Sequence, residues 1–90
     1  MRSYLPSGSV HSASAAGGAL VLLDTRTGRM FQLNPTGASA WNALLIGGGD
    51  VQAAARTVAQ RYGRPYLQAL DDLSCLIQRL IDAGLVEPTR

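Results

Sequence analysis

The stretch LVLLDTRTGRMFQLNPTGASAW, residues 20–41, decides the fold of this chain. Residues 20–23 are apolar, a polar segment that closes with Gly28 follows, and residues 29–33 mix apolar and polar side chains. Two such runs around a turn that ends in glycine predict a β-hairpin. We expect the first strand to be buried and the second to be half-exposed.

Three helices are predicted after the hairpin. Asn34 and Pro35 indicate where the first helix begins, because asparagine caps free N–H groups and proline is favoured at the first helical position. The predicted helices run from Pro35 to the glycines at 47–49, from the cap Asp50 to about Gly63, and from Pro65 to Gly84. Their predicted core-facing side chains are Ala38, Trp41, Leu44 and Leu45, then Val51, Ala54, Ala55, Val58, Ala59 and Tyr62, and finally Leu70, Leu73, Ile77, Leu80 and Ile81.

The first 18 residues differ in composition from the rest. They are rich in Ser, Ala and Gly and alternate poorly, which predicts a weakly structured segment or a poor first strand. Residues 19–87 then form the folded domain. Strands followed by helices predict a small α+β domain that resembles a winged helix-turn-helix.

Composition excludes several classes of protein. The chain is 47% hydrophobic and 16% charged, which is typical of a folded globular domain. Its net charge of +2 comes from scattered arginines, so no basic stripe marks a nucleic-acid site. One cysteine excludes an internal disulfide and a thiol-rich metal site, and no apolar run is long enough to span a bilayer. We expect a cytoplasmic protein without metal, cofactor or membrane contact.

Candidate catalytic residues are few and separated. His11 is the sole histidine and lies in the weak first segment, while Cys75 lies in the third helix and is interpreted as a structural thiol. Asp71 and Asp72 are adjacent and thus about 100° apart around a helix, so they do not act as a paired acid and base. The sequence therefore does not predict an enzyme.

Several short motifs occur in a characteristic order between residues 21 and 86. They are Leu22-Leu23-Asp24, Thr27-Gly28-Arg29, Leu33-Asn34-Pro35-Thr36-Gly37, Trp41 and Ala83-Gly84-Leu85. With these motifs the chain resembles the PqqD-like family of precursor-peptide recognition elements. Short members that stand alone are similar to the B1 proteins of lasso-peptide biosynthesis. The pyrroloquinoline quinone chaperones of the same family carry Leu-Leu-Tyr-Pro-Glu-Gly where this chain has residues 24–28.

The resemblance implies a fold and a function. The implied fold is a three-stranded antiparallel sheet followed by three helices. The implied function is non-catalytic binding of a precursor leader peptide, which is presented to a B2-type leader peptidase and indirectly to a macrolactam cyclase. A pyrroloquinoline quinone-type chaperone and a winged-helix DNA-binding module stay open as alternatives, although Asp71, Asp72 and Asp82 on the third helix disfavour DNA.

In the implied mode of binding, the leader adds as a strand beside the third strand and against the third helix. The candidate residues are Arg29, Met30, Phe31, Gln32 and Leu33 on the strand, and Ala69, Asp72, Leu76 and Arg79 on the helix. We interpret Leu76 as the apolar lip of a groove, with Asp72 and Arg79 on either side of the peptide. The alternative is that Leu76 only widens the core stripe and Asp72 is a solvated acid.

Overall fold

The computed structural model describes residues 3–89, in which four strands are followed by three α-helices and a fifth strand. The elements are β1 (Ser3–Pro6), β2 (Val10–Ser14), β3 (Leu20–Asp24), β4 (Met30–Leu33), α1 (Pro35–Ile46), α2 (Val51–Tyr62), α3 (Tyr66–Asp82) and β5 (Val86–Thr89). Strands β2, β3 and β4 form an antiparallel sheet in that order, and β1 pairs with β5 in a separate two-stranded sheet. The predicted α+β class, with a three-stranded antiparallel sheet and three helices, is confirmed.

The N-terminal segment is more ordered than its composition indicates. It contains β1 and β2, and β2 pairs with β3 from Val10 opposite Asp24 to Ser14 opposite Leu20. The sheet therefore continues across the division that the sequence places between residues 18 and 19. Pairing with an apolar neighbour stabilises β2, whose own side chains are mostly small and exposed.

The turn between β3 and β4 is organised by Asp24, whose residue is only 2% exposed. One carboxylate oxygen accepts hydrogen bonds from the Ser9 hydroxyl at 2.7 Å and from the Arg26 N–H at 3.0 Å. The Gly28 N–H donates to the Asp24 carbonyl at 2.8 Å, and Gly28 takes a positive φ of 76° that suits glycine. This turn fixes the register of β4 against β3.

The same contacts make folding sensitive to acid. The hydrogen bond from Ser9 lowers the pKa of Asp24 below its ordinary value of 3.8, against the opposing effect of burial and with help from the Arg26 N–H. Because the pKa of the folded state is depressed, the stabilisation is present above pH 3.8 and is lost as the pH falls through the lower folded-state pKa.

We therefore expect the denaturant concentration at the unfolding midpoint of the wild type to decrease as the pH is lowered from about 5 to about 2. The midpoint of Asp24→Asn should decrease less over the same range. The asparagine oxygen still accepts both hydrogen bonds, so the variant isolates the charge. Denaturant unfolding at several pH values measures the difference between the two curves. Parallel curves for the two proteins would mean that the Asp24 charge does not contribute.

The helix boundaries follow the caps predicted from the sequence. The Asn34 side chain accepts from the Gly37 N–H at 2.7 Å, and Asp50 accepts from the N–H groups of Gln52 and Ala53 at 3.0 and 3.2 Å. Helix α2 ends at Gly63, which is left-handed with a φ of 62°. A Cβ atom at Gly37 would lie 3.2 Å from the capping oxygen of Asn34. Glycine at this position thus lets the cap approach closely.

The helices bury two neighbouring apolar clusters. Leu73 and Ile77 of α3 belong to a cluster with residues of α1 and α2, while Leu80 belongs with Trp41 to a cluster that includes residues of the sheet. Trp41 is 2% exposed, which confirms its predicted place in the core. Two predicted core positions are wrong, because Leu45 and Tyr62 are more than a third exposed at the ends of α1 and α2.

Strand β1 is attached to the turn between α1 and α2 as well as to β5. The Tyr4 N–H donates to the Gly49 carbonyl at 2.9 Å, and a Cβ atom at residue 49 would lie 2.5 Å from the Tyr4 carbonyl oxygen. Gly49 also has a φ of 91°. This glycine therefore allows the two backbones to touch, and it holds β1 on the side of the helices.

Candidate functional site

Strand β4 lies at the edge of its sheet, paired with β3 on one side only among residues 3–89. The Asp24 N–H donates to the Arg29 carbonyl at 2.9 Å, so residues 24 and 29 form a hydrogen-bonded pair. Such pairs recur at every second residue, which turns the backbone groups of Phe31 and Leu33 toward β3. The N–H and C=O groups of Met30 and Gln32 consequently point to the free edge.

A groove of about 530 Å³ separates β4 from α3. It is lined by Phe31, Gln32, Leu33, Asn34, Thr36, Gly37, Ala40, Val58, Arg64, Ala69, Asp72, Leu73, Cys75, Leu76 and Arg79. Asp72 and Arg79 are seven positions apart on α3, which is a distance of about 10 Å along the helix axis. An extended chain covers that length with about three residues. The groove thus matches a short stretch of extended peptide.

The floor of the groove is apolar and its rim carries charge. Leu33, Ala69 and Leu73 are at most 3% exposed and form part of the core. Leu76 is half-buried, lines the groove and packs against both apolar clusters. Leu76 is therefore both a groove residue and an extension of the core, so the two interpretations of its position each describe part of its surroundings.

The charged residues along the rim differ in their partners. Arg64 and Asp72 form an exposed ion pair, with Nη1 of Arg64 3.4 Å from Oδ2 of Asp72. Pairs of this kind contribute at most about 1 kcal/mol. The guanidinium carbon of Arg79 lies 5.3 Å from the ring centroid of Phe31, which joins α3 to β4 across the groove.

Most of the residues predicted for the site meet in this groove. Phe31, Gln32, Leu33, Ala69, Asp72, Leu76 and Arg79 all line it. Arg29 and Met30 do not: Arg29 precedes β4, and Met30 is 70% exposed, opposite Leu23 in the register. The alternation of side chains along a strand accounts for Met30, because Phe31 faces the groove and its neighbour faces the other side of the sheet.

Sequence reasoning missed several lining residues. Asn34, Thr36, Gly37 and Ala40 come from the start of α1, and Val58 and Arg64 come from the α2 region. Cys75, interpreted from sequence as a structural thiol, is exposed and lines the groove. Its position was available from helical spacing, because residues three before and four after it are Asp72 and Arg79.

The other free edge of the sheet lacks such a neighbour. Strand β2 pairs only with β3 within the described residues, and its residues 11–14 are exposed. No residue of β2 lines the groove. A strand added beside β4 would therefore gain side-chain contacts with the groove, whereas a strand added beside β2 would not.

The described residues around the groove do not match a metal site or a DNA-binding surface. Within residues 3–89, no three side chains of the His, Cys, Asp or Glu type come together as metal ligands. Helix α3 exposes Asp71, Asp72 and Asp82, which would repel DNA phosphates. None of the helices in the described part of the chain meets the length and apolarity required to traverse a lipid bilayer.

Comparisons with known proteins agree with the fold. The family model of coenzyme PQQ synthesis protein D (PqqD) matches residues 19–86. The structure of TbiB1 in complex with the TbiA(beta) leader peptide is similar with a TM-score of 0.80 and 27% identity, covering 91% of this chain and 93% of that one. Lasso peptide synthetase B1 complexed with the leader peptide has a TM-score of 0.82 and 28% identity, covering 96% and 99%. Comparison with curated proteins finds no match.

Proposed function

The chain belongs to the PqqD family, and we propose that it binds the leader of a ribosomally synthesised precursor peptide of the lasso type without catalysing a reaction itself. The observation that carries this proposal is the free edge of β4 beside the groove between β4 and α3. Both similar solved structures contain a leader peptide, which supports the same kind of ligand here. The bound leader is then available to a separate leader peptidase.

The binding mode we propose is strand addition along β4. Met30 and Gln32 each offer one N–H and one C=O group to the incoming backbone, which allows up to four hydrogen bonds independent of peptide sequence. Alternate side chains of the peptide then face the groove and supply selectivity. The residues opposite Phe31 and Leu33 have their side chains on the groove side, because both of those residues line it.

Amide hydrogen exchange tests the register directly. On addition of the leader we expect the amides of Met30 and Gln32 to exchange more slowly, because both become hydrogen-bonded. The amides of Phe31 and Leu33 already face β3 and should change little. Ser12, whose amide points to the free edge of β2, is the matched control. Protection at Ser12 without protection at Met30 and Gln32 would place the peptide on the wrong edge for this proposal.

Titration of the purified protein with leader peptides tests the function itself. We expect saturable binding of a lasso-type leader with a dissociation constant in the sub-micromolar to micromolar range. Cys75 provides a second readout, because a peptide in the groove should slow its reaction with a thiol reagent. The precursor of pyrroloquinoline quinone serves as comparison peptide, and a preference for it would favour the chaperone alternative. No binding of either peptide would reject leader recognition.

The presenting role requires a partner. The groove opens to solvent, which leaves room for a second protein to reach a bound leader. The few, separated catalytic candidates of this chain favour cleavage by another protein. We expect the leader peptidase to cleave the precursor faster when this protein is present. Equal rates with and without it would reject the presenting role toward the peptidase.

A further inference from the structure

Resting on the proposed function, a more specific inference concerns which leader segment the groove selects. We propose that the segment places an acidic side chain opposite Phe31, where it pairs with Arg79, and an apolar side chain two residues away, opposite Leu33. The pair of positions follows from the register of β4 and from the unequal charge partners along the groove.

The state of Arg79 is the first reason. Its guanidinium carbon lies 5.3 Å from the centroid of the Phe31 ring, within cation–π distance, so the charged group is held beside β4. A cation–π contact does not use up the N–H donors of the guanidinium, whose planar arrangement fits a carboxylate with two hydrogen bonds. In residues 3–89 no carboxylate lies within ion-pair distance of Arg79.

The neighbouring charges are already engaged, which is the second reason. Arg64 pairs with Asp72 at 3.4 Å, and Asp82 accepts from the Gln78 side chain at 3.0 Å. A peptide carboxylate near Arg64 would meet the carboxylate of Asp72 as well. Arg79 therefore offers the more favourable position for an acid along this groove.

The spacing of the two side chains comes from the strand register. Side chains on one face of a strand recur at every second residue, so the peptide positions opposite Phe31 and Leu33 share the groove side. The groove that Leu33 lines has an apolar floor, since Leu33, Ala69 and Leu73 all line it and are at most 3% exposed. An apolar side chain there buries surface, whereas a charged one would lose hydration without a partner.

Selection from a displayed random-peptide library tests this specificity without knowledge of the natural leader. The library is selected on the wild type, on Arg79→Gln, on Arg79→Lys and on Arg56→Gln. Arg56 is the matched control, because it is an exposed arginine that lies 6.0 Å from the Tyr66 ring and does not line the groove. Denaturant unfolding of each variant verifies that all four proteins are folded.

We expect the wild type and Arg56→Gln to enrich peptides with an acid two residues from an apolar side chain. Arg79→Gln should keep the apolar preference and lose the acidic one, and Arg79→Lys should keep part of it through its charge. For a selected peptide, replacing its acid with the matching amide should weaken binding to the wild type by about tenfold and leave binding to Arg79→Gln unchanged.

Two outcomes are distinguishable. An acidic preference that is absent in the wild type, or unchanged in Arg79→Gln, overturns the role of Arg79 while leaving peptide binding intact. If the wild type enriches no peptide above an unrelated protein, and a leader peptide also fails to bind on titration, the proposed function fails and the inference falls with it.

Discussion

Replacing Leu76 with glutamate is expected to raise the dissociation constant for the leader by about 100-fold, while the free energy of unfolding falls by only about 1 kcal/mol. The half-buried side chain of Leu76 faces the groove, so the substitution removes apolar contact with the peptide and introduces a carboxylate there. In the free protein that carboxylate can still reach water. It also lies one helical turn from Arg79 and would compete with an acidic peptide side chain for it.

Leu67→Glu is the matched control for this variant. Leu67 belongs to the same helix, is 74% exposed and does not line the groove, so the same change of chemistry should leave binding unaffected. Titration calorimetry and denaturant unfolding measure both quantities on each protein. A loss of stability in Leu76→Glu as large as the loss of binding energy would assign Leu76 to the core and not to a peptide site.

Truncating Ile77 to alanine is expected to lower the free energy of unfolding by about 2 to 5 kcal/mol. Ile77 is 4% exposed and belongs to the apolar cluster formed by α1, α2 and α3, where deletion of three carbons leaves a cavity that the neighbouring side chains fill only in part. The total free energy of unfolding of a domain is only about 5 to 15 kcal/mol, so a fraction of the variant would be unfolded at physiological temperature.

Gln68→Ala, exposed on the same helix, should change stability by no more than about 0.5 kcal/mol and serves as control. Leu73→Ala should cost a similar amount to Ile77→Ala, but Leu73 also lines the groove, so this variant should lose peptide affinity as well. Urea unfolding measures all three. A small effect of Ile77→Ala would mean that the core around α3 closes over the missing side chain.

Capping residues and glycines in the sequence predicted where helices begin and end. Asn34 and Asp50 cap α1 and α2 as expected, and Gly63 ends α2. Strands β1 and β5 were missed because each is stabilised by the other, far away along the chain, and each contains a proline. Neither has a strand pattern of its own that a single segment would reveal.

The site was predictable where periodicity alone determines it. Helical spacing brought Asp72, Leu76 and Arg79 to one face, and the structure places all three along the groove. Ala69, predicted at the margin, is 2% exposed because α2 packs over it as well. The ion pair between Arg64 and Asp72 depends on the path of the loop after α2, which the spacing of residues within a helix does not determine.

The pairing of β1 with β5 has a practical consequence for engineering. Ser3 lies opposite Thr89 on the neighbouring strand, so the two ends of the described chain are only about 5 Å apart. No residue of either strand lines the groove. A reporter or an enzyme tethered at either end would therefore start from the same corner of the molecule, and a bridge of a few residues would suffice to make a circularly permuted form whose groove is unobstructed.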